Sequence, residues 1–160
     1  MDASQLDDSA ALIGELIDLA ADLTVRRLSD RNDLSGSAAM LLNRVAREGP
    51  AKLTALAAAE GIGQPAMTQL IQRLERQGLV GRLGDPGDRR VALVALTETG
   101  HELLARRTAQ RRQRLTKLLA TLSSEDEFAL WLAAQVALPV LRQLLDNAGD
   151  RDRMAAPSKA

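Results

Sequence analysis

The sequence predicts a mainly α-helical chain with one small β-hairpin, set after two short helices joined by a tight turn. Three observations predict it. Ala and Leu are abundant, while the 160 residues hold one phenylalanine, one tryptophan and no tyrosine, a balance that favours helix over strand. Apolar residues recur at helical spacing, as at Ile13, Leu16, Ile17, Ala20 and Leu23. That period gives way at "LVGRL" and "VALVAL", two β-rich runs flanking "GDPGDRR", a turn dense in glycine, proline and aspartate.

The elements follow in order. Ala10 to Leu28 forms the first helix. Ser35-Gly36-Ser37 is a break, and Ala38 to Arg47 forms a second helix that packs Met40, Leu41, Leu42 and Val45 before Gly49-Pro50 ends it. Thr54 is the expected N-cap of a third helix, which stops at Gly61. A fourth starts near Pro65, because proline suits a first helical position, and runs to about Gln77 before Gly78. Beyond the hairpin, Thr97 caps a fifth helix reaching about Leu122. Ser124 and Glu127 have capping-box spacing and open a sixth, apolar on nearly every side from Phe128 to Leu145. A helix of that kind must be covered all round. Pro139 is expected to kink or split it, and the segment after Asn147 is expected to be disordered.

Composition excludes several classes of function. Without cysteine there is no disulfide, thiolate metal site or thiol switch. One histidine (His101) and no grouped carboxylates beyond helix caps leave no catalytic residue, metal site or cofactor site to name. The opening "MDASQLDDSA" lacks the features of a signal peptide, and no apolar run approaches the ~20 residues of a membrane span. The expectation is a soluble cytoplasmic protein with no membrane partner.

The formal net charge is zero, but its distribution is uneven. Residues 1–35 carry eight acids against three arginines, and residues 121–160 six acids against four bases. Between them, residues 36–120 carry fourteen Arg or Lys against seven acids. A basic middle between acidic ends is the asymmetry expected when one face meets a polyanion.

"GIGQPAMTQL" (61–70) poses a choice, because Gly-x-Gly-x-x-Ala can mark a dinucleotide-binding turn. Such a turn needs a buried strand before it, yet "LTALAAAE" is helix-forming and no second βαβ unit follows. A helix-turn-helix passes the same test. Leu56 and Leu70 would pack the two helices, Gly61 would allow the turn and Ile62 would plug the corner. Met67, Leu70, Ile71 and Leu74 form one i, i+3, i+4, i+7 stripe facing the core. The opposite face carries Gln64, Ala66, Thr68, Gln69, Gln72, Arg73 and Arg76, a polar and cationic surface suited to a major groove. Near the start of that helix, Gln can bond adenine and Ala or a Thr methyl can meet thymine. Arg73 and Arg76 are placed to meet phosphates. The Arg106, Arg107, Arg111, Arg112 and Arg114 cluster of the fifth helix reads mainly as a solvated face, with Glu102 and Arg106 as an i, i+4 pair.

The run "LAAAEGIGQPAMTQLIQRLERQGLVGR", followed by "DPGDRR" and "VALVALTETG", resembles the MarR family of bacterial winged helix-turn-helix regulators. The resemblance implies the order α1-α2-β1-α3-α4-β2-wing-β3-α5-α6 and an obligate homodimer built on the first, fifth and sixth helices. Residues 1–34 would then be an N-terminal dimerisation helix and 35–97 the DNA-binding winged helix-turn-helix. Residues 98–147 would be dimerisation helices and 148–160 a disordered tail. At the wing, Asp88 and Arg90 match the family's Asp-x-Arg, in which the acid holds the arginine for insertion into a minor groove. Arg89 is a phosphate contact in this reading, and Arg82 supports the hairpin or the DNA backbone.

The implied partner is a pseudo-palindromic operator in double-stranded DNA, with helix 65–77 in the major groove and wing 84–90 in the minor groove. The implied role is a repressor. Family members often bind small aromatic anions between the DNA-binding lobe and the dimer helices. Here such an effector pocket would fall among Leu16, Met40, Leu41 and Leu104, all of which also read simply as core. A winged-helix protein-interaction module and a non-specific DNA-binding protein are the alternatives.

Overall fold

A computed structural model describes residues 3–29, 34–84, 87 and 92–155, and their element order is the one the resemblance implies. Helix α1 (Ala3–Leu23) widens in its last turn into a π-helical segment, Thr24–Leu28, closed by the Ser29 N–H donating to the Thr24 carbonyl at 2.8 Å. The helix therefore starts a full two turns before the periodic stretch. Helix α2 (Gly36–Glu48) takes in part of the expected break, because the Ser35 hydroxyl caps it by accepting from the Ala38 N–H.

Strand β1 is only Ala51–Lys52, held extended by antiparallel pairing with β3 (Ala92–Leu96). That pairing sets the start of α3 (Leu53–Ala59) one residue before Thr54, which lies inside the helix; Lys52 occupies the N-cap with no side-chain bond. Helix α4 (Gln64–Arg76) starts after Gly63, so Pro65 is its second residue. The α3–α4 turn depends on Gly61 at φ +64°, a conformation costly for side-chain-bearing residues. Strand β2 (Val80–Gly84) pairs antiparallel with β3, giving a three-stranded sheet ordered β1-β3-β2.

Helix α5 (Glu98–Leu119) ends short of Leu122, and Thr97 caps it as expected by accepting from the Gly100 N–H at 3.1 Å. The same hydroxyl donates to the Gly78 carbonyl at 2.5 Å, so one residue joins the end of α4 to the start of α5. Helix α6 spans Ser124–Ala155. Its cap is Ser123 rather than Ser124: the Ser123 hydroxyl accepts from the Asp126 N–H at 3.1 Å and donates to the Asp126 carboxylate at 2.7 Å. Pro139 does not split the helix. Its missing donor removes one backbone bond, and Ala and Leu on both sides are strong enough helix formers to carry the backbone across. Instead of becoming disordered after Asn147, the chain stays helical to Ala155, and the first proline beyond is Pro157.

The core lies under the helix-turn-helix. Leu41, Leu42, Leu56, Met67, Ile71 and Leu74 are its largest fully buried side chains, with Leu79, Val80, Val94 and Leu103 closing it toward the sheet and α5. Each large aliphatic residue so buried contributes about 1.5–3 kcal/mol. Among the described side chains of α1 and α6 none is buried, and Leu12, Leu19, Phe128, Trp131 and Val136 are exposed. Ser124–Gly149 is also long and apolar enough to cross a membrane by length and composition, contrary to expectation. Between Phe128 and Leu145 its only charge is Arg142.

Gly100 sits against the Leu79 carbonyl so closely that a Cβ there would overlap it. Gly100→Ala should therefore force α5 away from the base of the hairpin and lower stability by about 1–3 kcal/mol. Thermal unfolding of the variant beside the wild type measures this.

Candidate nucleic-acid interface

Helix α4 is held by its back. Met67, Leu70, Ile71 and Leu74 are all buried, with Leu70 the most exposed at 8%. Helical geometry then turns the other face outward. Gln64, Ala66, Gln69, Gln72, Arg73 and Arg76 are exposed and Thr68 half-buried, which brings the seven residues named from sequence onto one surface. The first turn carries no acid. The bare N–H groups and helix dipole at that end therefore add positive potential.

The charged groups around this face are not all directed at solvent. The Arg73 guanidinium donates to the Ser35 hydroxyl at 3.0 Å, tying α4 to the cap of α2. Arg82 on β2 donates through Nε to the Glu75 carboxylate at 2.8 Å, tying the hairpin to α4. This supports the hairpin-bracing role for Arg82 more than a direct DNA contact. Arg76 turns its Nε toward the Gln72 carbonyl at 3.3 Å, and the Thr68 hydroxyl donates to the Gln64 carbonyl at 2.8 Å. Asp88, Arg89 and Arg90 lie outside the described residues.

A third brace had no signal in the local sequence pattern. Arg44 of α2 donates through Nε to Glu60, in the α3–α4 turn, at 2.6 Å, and through Nη1 to Glu48 at 3.0 Å. Its Nη2 reaches the Ala59 carbonyl at 3.3 Å. The hydrogen bond to Glu60 raises the Arg44 pKa above its ordinary value. Only the Arg44–Glu48 spacing of four was visible in sequence; Glu60 lies sixteen residues on.

The four residues named for an effector pocket separate. Leu41 is 0% exposed in the core and Leu104 packs at its edge, whereas Leu16 and Met40 lie exposed on this chain. The arginines of α5 also divide. Arg114 donates to the Leu28 carbonyl at 3.3 Å, and Arg107 places a buried Nη1 with no hydrogen-bond partner among the described residues in the same small cleft. Those two face the end of α1, not open solvent. The expected Glu102–Arg106 pair is absent from the ion pairs of the described residues.

A helix-turn-helix whose second helix presents a polar, acid-poor face beside a two-stranded wing defines a winged helix-turn-helix DNA-binding protein. The MarR family profile matches residues 34–92. An HTH-type transcriptional regulator of Mycobacterium bovis is 34% identical over 139 residues, covering 85% of this chain and 96% of that protein. The chain therefore belongs to the MarR family of transcriptional regulators.

Two solved structures share the fold. A MarR family protein from Bacillus stearothermophilus has a TM-score of 0.66 at 23% identity, over 91% of this chain and 99% of its own. S. aureus MepR bound to ethidium bromide has a TM-score of 0.53 at 21% identity, over 88% of this chain and 97% of its own.

Glu60 has a side chain only 8% exposed, so Arg44→Ala leaves a carboxylate with little access to water. The variant should lose about 1–3 kcal/mol of stability. Adding Glu60→Ala should recover part of that loss. A double-mutant cycle in urea measures the coupling.

Proposed function

We propose that this chain is a homodimeric repressor that seats α4 in successive major grooves of a pseudo-palindromic operator and its wing in the flanking minor groove. One observation carries the reading: α4 buries its entire apolar stripe and presents an exposed polar and cationic face with no acid in its first turn. A two-fold dimer would place two such helices about 34 Å apart, one turn of duplex. In this reading Asp88 positions Arg90 for the minor groove, Arg89 meets phosphate, and Arg82 braces the wing through Glu75.

The dimer reading is supported by α1 and α6. Leu12, Ile13, Leu16, Ile17 and Leu19 on one, and Phe128, Trp131, Val136, Leu141 and Leu145 on the other, are exposed. So much exposed large apolar surface is unusual on a monomer. Residues 1–34 and 98–147 then serve dimerisation, with the winged helix-turn-helix of 35–97 between them. In this reading the protein works on chromosomal DNA in the cytoplasm.

A small-molecule effector would act by changing the spacing of the two α4 helices. A structure of this fold, S. aureus MepR, was solved bound to ethidium bromide. With no tyrosine in the chain and both aromatics on α6, an effector here would rely on aliphatic contacts and arginine. Leu16, Met40 and Leu104 are the residues of the anticipated pocket that retain surface.

The test is a titration onto the duplex upstream of the chain's own gene and onto a scrambled duplex, at two salt concentrations, with Arg90→Ala alongside. The regulator should prefer its site by ~10³-fold or more, and both complexes should weaken as salt rises. Arg90→Ala should weaken binding. Equal binding to both duplexes would favour a non-specific DNA-binding protein, and no binding to either would favour an interaction module.

Sedimentation should give twice the 17.2 kDa chain mass. Trp131→Asp with Leu141→Asp should abolish the dimer and make thermal stability independent of protein concentration.

A further inference from the structure

We infer that α4 reads A·T base pairs, with Gln64 and Gln69 on adenine and Ala66 and Thr68 against thymine methyl groups. The inference rests on the DNA-binding reading above and specifies what that surface recognises.

Each base edge demands a particular chemistry in the major groove. Guanine offers two acceptors, O6 and N7, and calls for the double donor of arginine or for lysine. Cytosine offers a donor and calls for a carboxylate. Adenine offers an acceptor and a donor together, which an amide matches, and thymine adds a methyl group. Gln64, Ala66 and Gln69 are exposed in the first two turns of α4, and Gln72 follows one turn after Gln69. No charged residue lies among them.

The nearby charges lie farther along the helix. Arg73 lies about 13 Å along the helix axis from Gln64, and its guanidinium holds the Ser35 hydroxyl. Arg76 lies about 18 Å from Gln64 and turns its Nε back to the Gln72 carbonyl. Glu75, the one acid of α4, is paired with Arg82. The Thr68 hydroxyl proton is spent on the Gln64 carbonyl, leaving the methyl group and an oxygen lone pair to the groove. The reading end of the helix thus keeps amides and methyl groups, the set for A·T, and lacks the guanidinium or carboxylate that would select G·C.

The experiment selects binding duplexes from a random pool with the full chain. In the recovered half-site, each adenine is then replaced by 7-deazaadenine, which lacks N7, and each thymine by deoxyuridine, which lacks the methyl group. The recovered half-sites should hold A·T pairs at the positions α4 covers. 7-Deazaadenine at one of them should weaken binding ~5- to 150-fold. That loss should vanish in Gln69→Ala or Gln64→Ala, while the effect of deoxyuridine persists. Both are exposed helix positions where alanine preserves the fold.

Half-sites with G·C at those positions, sensitive to 7-deazaguanine, would overturn the inference and leave the regulator reading standing. A·T half-sites indifferent to both analogues would also overturn it, because the preference would then come from DNA shape. A pool with no enriched sequence would overturn both readings.

Discussion

The burial of one stripe on α4 organises the rest of the molecule. Met67, Leu70, Ile71 and Leu74 meet Leu41 and Leu42 of α2 and Leu56 of α3 in a single cluster. Because side chains on a helix recur every 3.6 residues, fixing those four inward decides where the others point. The contacts that stabilise the domain are the same ones that present Gln64, Ala66, Gln69 and Gln72. In the proposed reading stability and recognition therefore rest on one set of packing contacts, and a cavity opened behind α4 would loosen the surface in front of it.

Polar braces complete what the apolar stripe leaves undetermined. A buried stripe fixes which face points outward, but constrains sliding and tilt less. Arg44 clasps the α3–α4 turn from α2, Arg73 reaches the cap of α2, and Arg82 joins the wing to Glu75. The Arg82–Glu75 pair is half-exposed on its arginine side, so it contributes little to stability. Its importance is directional, since it sets the hairpin against the helix. Arginine in this domain thus divides between architecture and surface charge, and the two roles are indistinguishable by composition.

The chain has an uneven distribution of stability. Its core is gathered between Leu28 and Leu103, while α1 and α6 contribute long apolar surfaces and bury none of their described side chains. In the proposed dimer those surfaces cover one another, so folding and association would be coupled. The cleft where Arg107 and Arg114 meet the end of α1 joins the two regions. There the Leu28 carbonyl, one of the helix-end carbonyls without an intrahelical donor, accepts from Arg114.

The sequence by itself determined the helical stripe of α4, the Gly61 turn, the hairpin and the Thr97 cap. Each is written within a few neighbouring residues, by a 3.6-residue period, a glycine needed at positive φ, or a hydroxyl three residues from the N–H it accepts from. The tertiary structure alone decided the rest. Ala51–Lys52 is a strand only because β3 lies beside it, and that pairing displaces Thr54 from the cap it was expected to hold. The cap of α6 moved by one residue to Ser123 because Asp126, not Glu127, closes the turn. The pairs Arg44–Glu60 and Arg73–Ser35 span sixteen and thirty-eight residues. No local period encodes them, because a side chain's partner at that separation is chosen by where packing brings the backbone.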